Sequence, residues 1–198
     1  MLNLFDPVIY TADEQSYVDG ILKPLKKNAW DDNSVQTKNL KNRISTHTII
    51  AQGGRCAYCE TPLMKGSLAI EHIAHKGKYG EFCFEPYNLV TACTSCNSPG
   101  NKGEKDTIKG LVNRRDYASN NFKIVHPYFD NPNDHFKYLD ADRTTFNTSD
   151  CSTEALETIK MMHWDEIWAY NQRVRNARTK DIPTNVLDLV GEIVTYRK

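Results

Sequence analysis

The sequence predicts an α+β fold in which helical arms clasp a small metal-bound core. Three observations predict it. Two Cys-x-x-Cys pairs, Cys56/Cys59 and Cys93/Cys96, are separated by 33 residues. A short strand-like run lies between them, and both flanks carry apolar residues at helical spacing. The 198 residues suit a single unit, since domains usually hold ~100–200 residues. Apolar residues make up 39 % and charged residues 25 %, with a mean hydropathy of −0.61, as in ordinary water-soluble domains. No apolar run approaches the ~18 residues of a membrane helix. The opening MLNLFDPVIYTADEQ lacks the basic start, apolar core and small-residue cleavage site of a signal peptide. Collagenous, disordered, disulfide-framework and membrane classes are thereby excluded, and a cytoplasmic protein without a membrane partner is expected.

The elements follow in order. Thr11-Ala12-Asp13-Glu14 reads as a capping box that opens a helix ending before Pro24. A second helix is predicted over 34–52, with Leu40, Ile44 and Thr48 on its apolar face, Ile49 beside them, and Gly53-Gly54 as its stop. It delivers the chain to the first cysteine pair. Residues 68–73 read as a short strand, followed by a Lys- and Gly-rich loop over 74–80. Residues 88–93 lead into the second pair and a helix that Pro99-Gly100 breaks early. A hairpin is predicted from 136–139 and 144–146 around residues 140–143. Leu156, Ile159, His163, Ile167, Tyr170 and Val174 predict one long helix over 153–178. Trp164 and Trp168 on it read as a packed seam, and His126-Pro127 as a structural turn. Thr184 caps a last helix that buries Val186, Leu187, Val190 and Ile193. No internal repeat or low-complexity linker interrupts this order.

The formal charge is zero, but the charges are unevenly spread. Residues 23–55 hold seven Lys/Arg against Asp31 and Asp32, whereas residues 130–166 hold nine acids against Lys137, Arg143 and Lys160. Such asymmetry allows a basic face toward phosphates and an acidic face elsewhere.

In a reducing compartment six cysteines are not a disulfide framework. Each Cys-x-x-Cys is a knuckle that points two thiolates at one ion. Two knuckles complete the closed S4 set of a structural zinc site, formed by Cys56, Cys59, Cys93 and Cys96. Cys83 and Cys151 lack partners at ligand spacing and read as small buried hydrophobes.

Between and beyond the knuckles stand CAYCE at 56–60, IEHIAHKGKY at 70–79, YNLVTACTSCN at 87–97 and NKG at 101–103. This order resembles the HNH endonuclease family. The helix entering CAYCE, and HPYFDNP ahead of a hairpin and a helix, resemble above all the small HNH subunits of Septu-type prokaryotic anti-phage defence systems. The resemblance implies a ββα-metal core over 55–115 between an N-terminal helical arm (1–54) and C-terminal hairpin and helices (116–198). It implies hydrolysis of nucleic-acid phosphodiester bonds, of DNA first and of RNA such as tRNA as an alternative, and an ATPase partner. His72 matches the general base, and Asn88 the residue that joins the two halves of the motif and fixes His72. Glu71 and Asn97 match hard-oxygen ligands of one Mg²⁺ or Mn²⁺ ion. His75, Lys76, Lys78, Asn101 and Lys102 are expected against the nucleic acid. Two departures stand out: Glu71 replaces the commoner Asp, and Ser98-Pro99-Gly100-Asn101 separates Asn97 from Lys102, which makes Asn101 a rival ligand. A non-catalytic zinc-stapled binding module and a stand-alone restriction-type nuclease are the alternative functions.

Overall fold

Both N-terminal helices begin where the sequence places their caps. The structure, a computed structural model, describes residues 1–23 and 29–179. Helix α1 (Ala12–Leu22) opens on a complete capping box, with Thr11 and Glu14 each satisfying the other's backbone N–H. Helix α2 (Val35–Ala51) opens on Ser34, which accepts from the Thr37 N–H, and buries Leu40, Ile44, Thr48 and Ile49. It closes in a Schellman motif: the Gly54 N–H reaches the Ile49 carbonyl at 2.9 Å and the Gly53 N–H the Ile50 carbonyl at 3.0 Å. Both glycines take positive φ there, 58° and 69°.

Strands β1 (Leu68–His72) and β2 (Leu89–Cys93) form an antiparallel pair. Their register sets Leu68 opposite Cys93 and His72 opposite Leu89. One end of the pair therefore leads into the second knuckle and the other carries His72, about 13 Å away at ~3.3 Å per residue. Helix α2 lies on β2 through a Thr48–Thr91 hydroxyl contact of 2.7 Å. The Gln52 amide accepts from the Thr91 N–H (2.7 Å) and donates to the Thr91 carbonyl (2.8 Å). This side chain covers part of the strand's outer edge. A second pair, β3 (Ile108–Lys109) with β4 (Asn121–Phe122), is two residues long on each side. It is too short to leave a periodic signal in sequence.

The C-terminal half differs from expectation in three places. After Cys93 the chain runs through turns to Glu104 rather than a helix. Pro99 supplies no N–H there. Gly103 takes φ +40°, at a point where a Cβ would sit 2.8 Å from the Pro99 Cα. The hairpin over 136–146 reduces to one bridge, Tyr138 to Phe146, flanked by a 2.9 Å bond from the Leu139 N–H to the Thr145 carbonyl. The helix predicted over 153–178 is two: α4 (Thr153–Met161) and α5 (Ile167–Thr179), after the short α3 (Pro132–His135). His163 adopts φ 52°, and the Trp164 N–H closes a Schellman bond to the Ile159 carbonyl at 2.9 Å. After the break Ala169 is buried, while Ile167, expected on the apolar face, is 73 % exposed. The helix expected after Thr184 lies outside the described residues.

Three apolar clusters hold these elements. The largest joins Ile49, Tyr58, Ile73, Val90, Ile124, Ile159 and Met162, residues drawn from all three expected segments. A second packs Val18, Leu40 and Ile44 against Phe84 and Leu89, fastening the N-terminal arm to β2. The third sets Tyr79, Phe82, Ile108 and Tyr117 beneath the 74–82 loop. Fully burying a side chain of this size is worth about 1.5–3 kcal/mol.

Candidate functional site: a four-cysteine centre and a buried histidine

The sequence brings the two knuckles together by pairing β1 with β2. Cys56, Cys59, Cys93 and Cys96 place their sulfurs within 4.8 Å of one another, with Cys59 and Cys93 at 3.7 Å. A tetrahedral ion bound at ~2.3 Å to each sulfur requires S–S edges of ~3.8 Å, so the four thiols could hold zinc. Glu60, at φ 61°, closes the first knuckle with its N–H on the Cys56 carbonyl at 3.0 Å. The Cys93 N–H points at the Cys56 sulfur (3.4 Å). The four thiols act on one another: hydrogen bonds within the cluster hold Cys59 and Cys93 below the ordinary thiol range, while burial pushes Cys56 up and its neighbours push Cys96 up. Cys83 is buried among apolar side chains, and burial pushes its thiol up to about 12. Cys151 is half-buried beside Lys137.

At the other end of the hairpin, His72 is 4 % exposed. Its Nε2 lies 3.0 Å from the Cys83 carbonyl, and its ring meets Trp30 edge-on at 4.4 Å. A carbonyl only accepts, so Nε2 carries the proton and Nδ1 keeps the basic lone pair. Asn88 is fully buried and uses both ends of its amide. Oδ1 accepts from the Ala74 N–H (2.6 Å) and from the Tyr117 hydroxyl (3.0 Å), while Nδ2 donates to the carbonyls of Ala74 (3.1 Å) and Phe82 (2.8 Å). It thus ties both ends of the 74–82 loop to the start of β2.

Glu71 and Lys102 meet where the sequence did not join them. The Lys102 ammonium lies 2.5 Å from Glu71 Oε1 and donates to the His72 carbonyl. Lys102 has no exposed surface, which corrects its expected role: it cannot touch a phosphate. Burial raises the Glu71 carboxyl against the attraction of Lys102, and burial lowers the Lys102 ammonium. Removing one partner strands the other. Lys102→Met is expected to cost about 3–5 kcal/mol of unfolding free energy. Glu71→Gln combined with Lys102→Met should cost clearly less than the two single changes summed, as measured by denaturant unfolding.

The other expected residues fall around this pair. Asn97 is half-buried, with its backbone N–H on the Cys93 carbonyl and no side-chain hydrogen bond among the described residues. Asn101 uses its Nδ2 on the Ser95 carbonyl (2.7 Å) and closes the second knuckle's turn. His75 faces Glu104 at 4.0 Å. Lys76 pairs with Asp31 (2.7 Å) and Lys78 with Asp106 (2.9 Å), exposed pairs that a phosphate could exchange at small cost. Burial raises the Asp106 carboxyl, but hydrogen bonds from Lys78, Tyr79 and Lys123 prevail and hold it well below the usual carboxylate range. Sequence reasoning missed Trp30, the Cys83 carbonyl and the Glu71–Lys102 pair, and gave no chemistry to His126, which is buried beside Tyr117.

Burial pushes the imidazoles of His72 and His126 down to about 3. In the unfolded chain a histidine titrates near ~6.5, so below that pH the unfolded state binds protons that the folded state refuses. The stability that rests on two neutral histidines is complete above pH ~6.5 and is lost as pH falls toward 3. With both groups acting, the slope approaches ~2.7 kcal/mol per pH unit in the middle of that window. Denaturant unfolding at stepped pH should show this slope, and His126→Gln should halve it.

No helix among the described residues is long and apolar enough to cross a membrane. No family model matches this chain, and no curated protein does.

Proposed function

We propose that the chain is an HNH-type endonuclease that hydrolyses nucleic-acid phosphodiester bonds, DNA first, with His72 as general base. The observation that carries this reading is the aimed imidazole: the Cys83 carbonyl holds the proton on Nε2, and Asn88 braces the loop from which that carbonyl comes. In its buried resting state His72 is neutral and a weak base. An arriving phosphate anion raises the proton affinity of the imidazole, so the base strengthens when substrate is present. Nδ1 then takes the proton of the attacking water. The turns after β2 stand where the resembled ββα motif has its helix.

Glu71 and Asn97 are the hard-oxygen donors that would hold Mg²⁺ or Mn²⁺, which when bound would stabilise charge on the phosphate. Lys102 already meets that carboxylate, so holding an ion there requires Glu71 to exchange the ammonium. The likeness of the flanks to Septu-type subunits adds an ATPase partner, with the acidic stretch 130–166 or the C-terminal helix expected after Thr184 as its proposed docking face. Lys76 and Lys78 remain the proposed phosphate contacts.

The buried Glu71–Lys102 pair favours a second reading, a zinc-stapled binding module without catalysis. The deciding experiment incubates zinc-loaded chain, alone and with the ATPase encoded beside it, with supercoiled DNA or folded RNA plus Mg²⁺ or Mn²⁺. Cleavage that His72→Ala abolishes supports the nuclease. Binding without cleavage, or cleavage that His72→Ala leaves intact, overturns it.

A further inference from the structure

Behind Asn88 runs a line of buried polar groups that the reading above does not use. Tyr117 and His126 are both buried, in a part of the chain far in sequence from β1. The Tyr128 N–H donates to His126 Nδ1 at 3.2 Å, so that nitrogen carries no proton and the neutral ring's hydrogen sits on Nε2. That Nε2 lies 3.0 Å from the Tyr117 oxygen and donates to it. The Tyr117 hydroxyl is then free to turn its own hydrogen to Asn88 Oδ1, also at 3.0 Å. Every donor and acceptor along the line has one permitted direction.

The His126 ring is fixed in turn. It stacks on Phe129 at 4.2 Å and 12°, packs on Phe122 at 4.5 Å, and the Asp130 carboxylate receives its backbone N–H at 2.7 Å. At the far end, the Asn88 Nδ2 holds the Phe82 carbonyl, one residue before the carbonyl that aims His72. A line of hydrogen bonds with fixed direction runs from the His126 turn to the Phe82 carbonyl, and one residue of backbone joins it to the Cys83 carbonyl that holds the ring of the proposed base.

We infer that Tyr117 and His126 are positioning residues, which act through Asn88 and the 74–83 loop to keep His72 in its Nε2–H form and facing the substrate. This rests on the nuclease reading for its catalytic consequence, but not for its structural one. Without the Tyr117 hydroxyl, Asn88 Oδ1 keeps a single partner and the His126 Nε2–H has none. The loop can then shift by fractions of an ångström without unfolding, and displacement of a reacting group by ~1 Å can cost ~10²-fold in rate.

The test uses ¹⁵N-histidine-labelled, zinc-loaded full chain and reads the His72 tautomer directly from its ring nitrogens, alongside cleavage kinetics in the assembled complex. In the parent, His72 should show protonated Nε2 and bare Nδ1. Tyr117→Phe and His126→Leu should mix the His72 tautomers and lower kcat about 10- to 100-fold with KM little changed. His126→Gln, whose amide can still donate to Tyr117, should restore the parent signal and most of kcat. Thermal unfolding separates the cases, since a merely structural role lowers Tm in all three variants and leaves the His72 signal of the folded protein unmoved. An unmoved His72 signal in Tyr117→Phe and His126→Leu overturns the inference. If the parent cuts no nucleic acid, the nuclease reading fails by itself, while the tautomer measurement still decides this one.

Discussion

Withdrawal of metal by a strong zinc chelator is expected to unfold the chain, and metal analysis of the purified protein should find about one zinc per chain. The reason lies in what the four sulfurs hold together. Cys56 and Cys96 are members of the largest apolar cluster, and the knuckles join the end of α2 to the end of β2. Four thiols within 4.8 Å of one another repel once they ionise, and a cation among them would neutralise that charge. Structural zinc contributes ~10–16 kcal/mol in small peptides. A whole domain is stable by only ~5–15 kcal/mol. Loss of such an ion would therefore outweigh what the apolar clusters retain. Replacing any one of Cys56, Cys59, Cys93 or Cys96 by Ser should give the same result, whereas Cys83→Ser and Cys151→Ser should leave the zinc content unchanged. A folded, metal-free chain, seen by circular dichroism beside elemental analysis, would remove this centre from the account.

The second large effect is on rate. His72→Ala should lower cleavage by ~10²–10⁴, the usual worth of a positioned base. Zinc content should not change, because the thiolates lie at the opposite end of the hairpin from His72. Nucleic-acid affinity should change little, because the phosphate contacts proposed for Lys76 and Lys78 do not involve the imidazole. Some stability should go, about 1–3 kcal/mol, since the Cys83 carbonyl is left without its donor. His72→Gln, which keeps a donor on that carbonyl, should recover that stability and none of the rate. Excess Mn²⁺ should rescue Asn97→Ala in part, because a lost ligand weakens ion binding, and should not rescue His72→Ala. Gel-based cleavage with single-turnover kinetics distinguishes these outcomes.

Much of the fold was legible residue by residue. The capping box at Thr11, the cap at Ser34 and the Gly53-Gly54 stop each depend on residues within one helical turn, so local sequence carries them completely. The doubled Cys-x-x-Cys was legible for the same reason, each knuckle being a local turn. The break between α4 and α5 was not. Apolar residues keep helical spacing straight through it, and His163 is a poor sign of a left-handed residue compared with glycine. The missing helix after Cys96 was legible in part: Pro99-Gly100 announced an early end, but the positive φ at Gly103 depends on how close Pro99 lies.

For the candidate site, sequence alone determined the identity of the chemistry-bearing groups: four thiols in two knuckles, an imidazole on a strand, and a carboxylate beside it. Local spacing dictates these, since strand and knuckle geometry reach no further than a few residues. Only the tertiary structure decided which groups face each other. It placed Trp30 against His72, gave Glu71 to Lys102 rather than leaving both to solvent, and set Tyr117 and His126 behind Asn88. The physical reason is burial. A charge or a hydrogen-bonding group taken out of water must find its partner wherever the fold supplies one. Here the fold supplies it 31 residues away, from Glu71 to Lys102, and 38 residues away, from Asn88 to His126, through their shared contact with Tyr117.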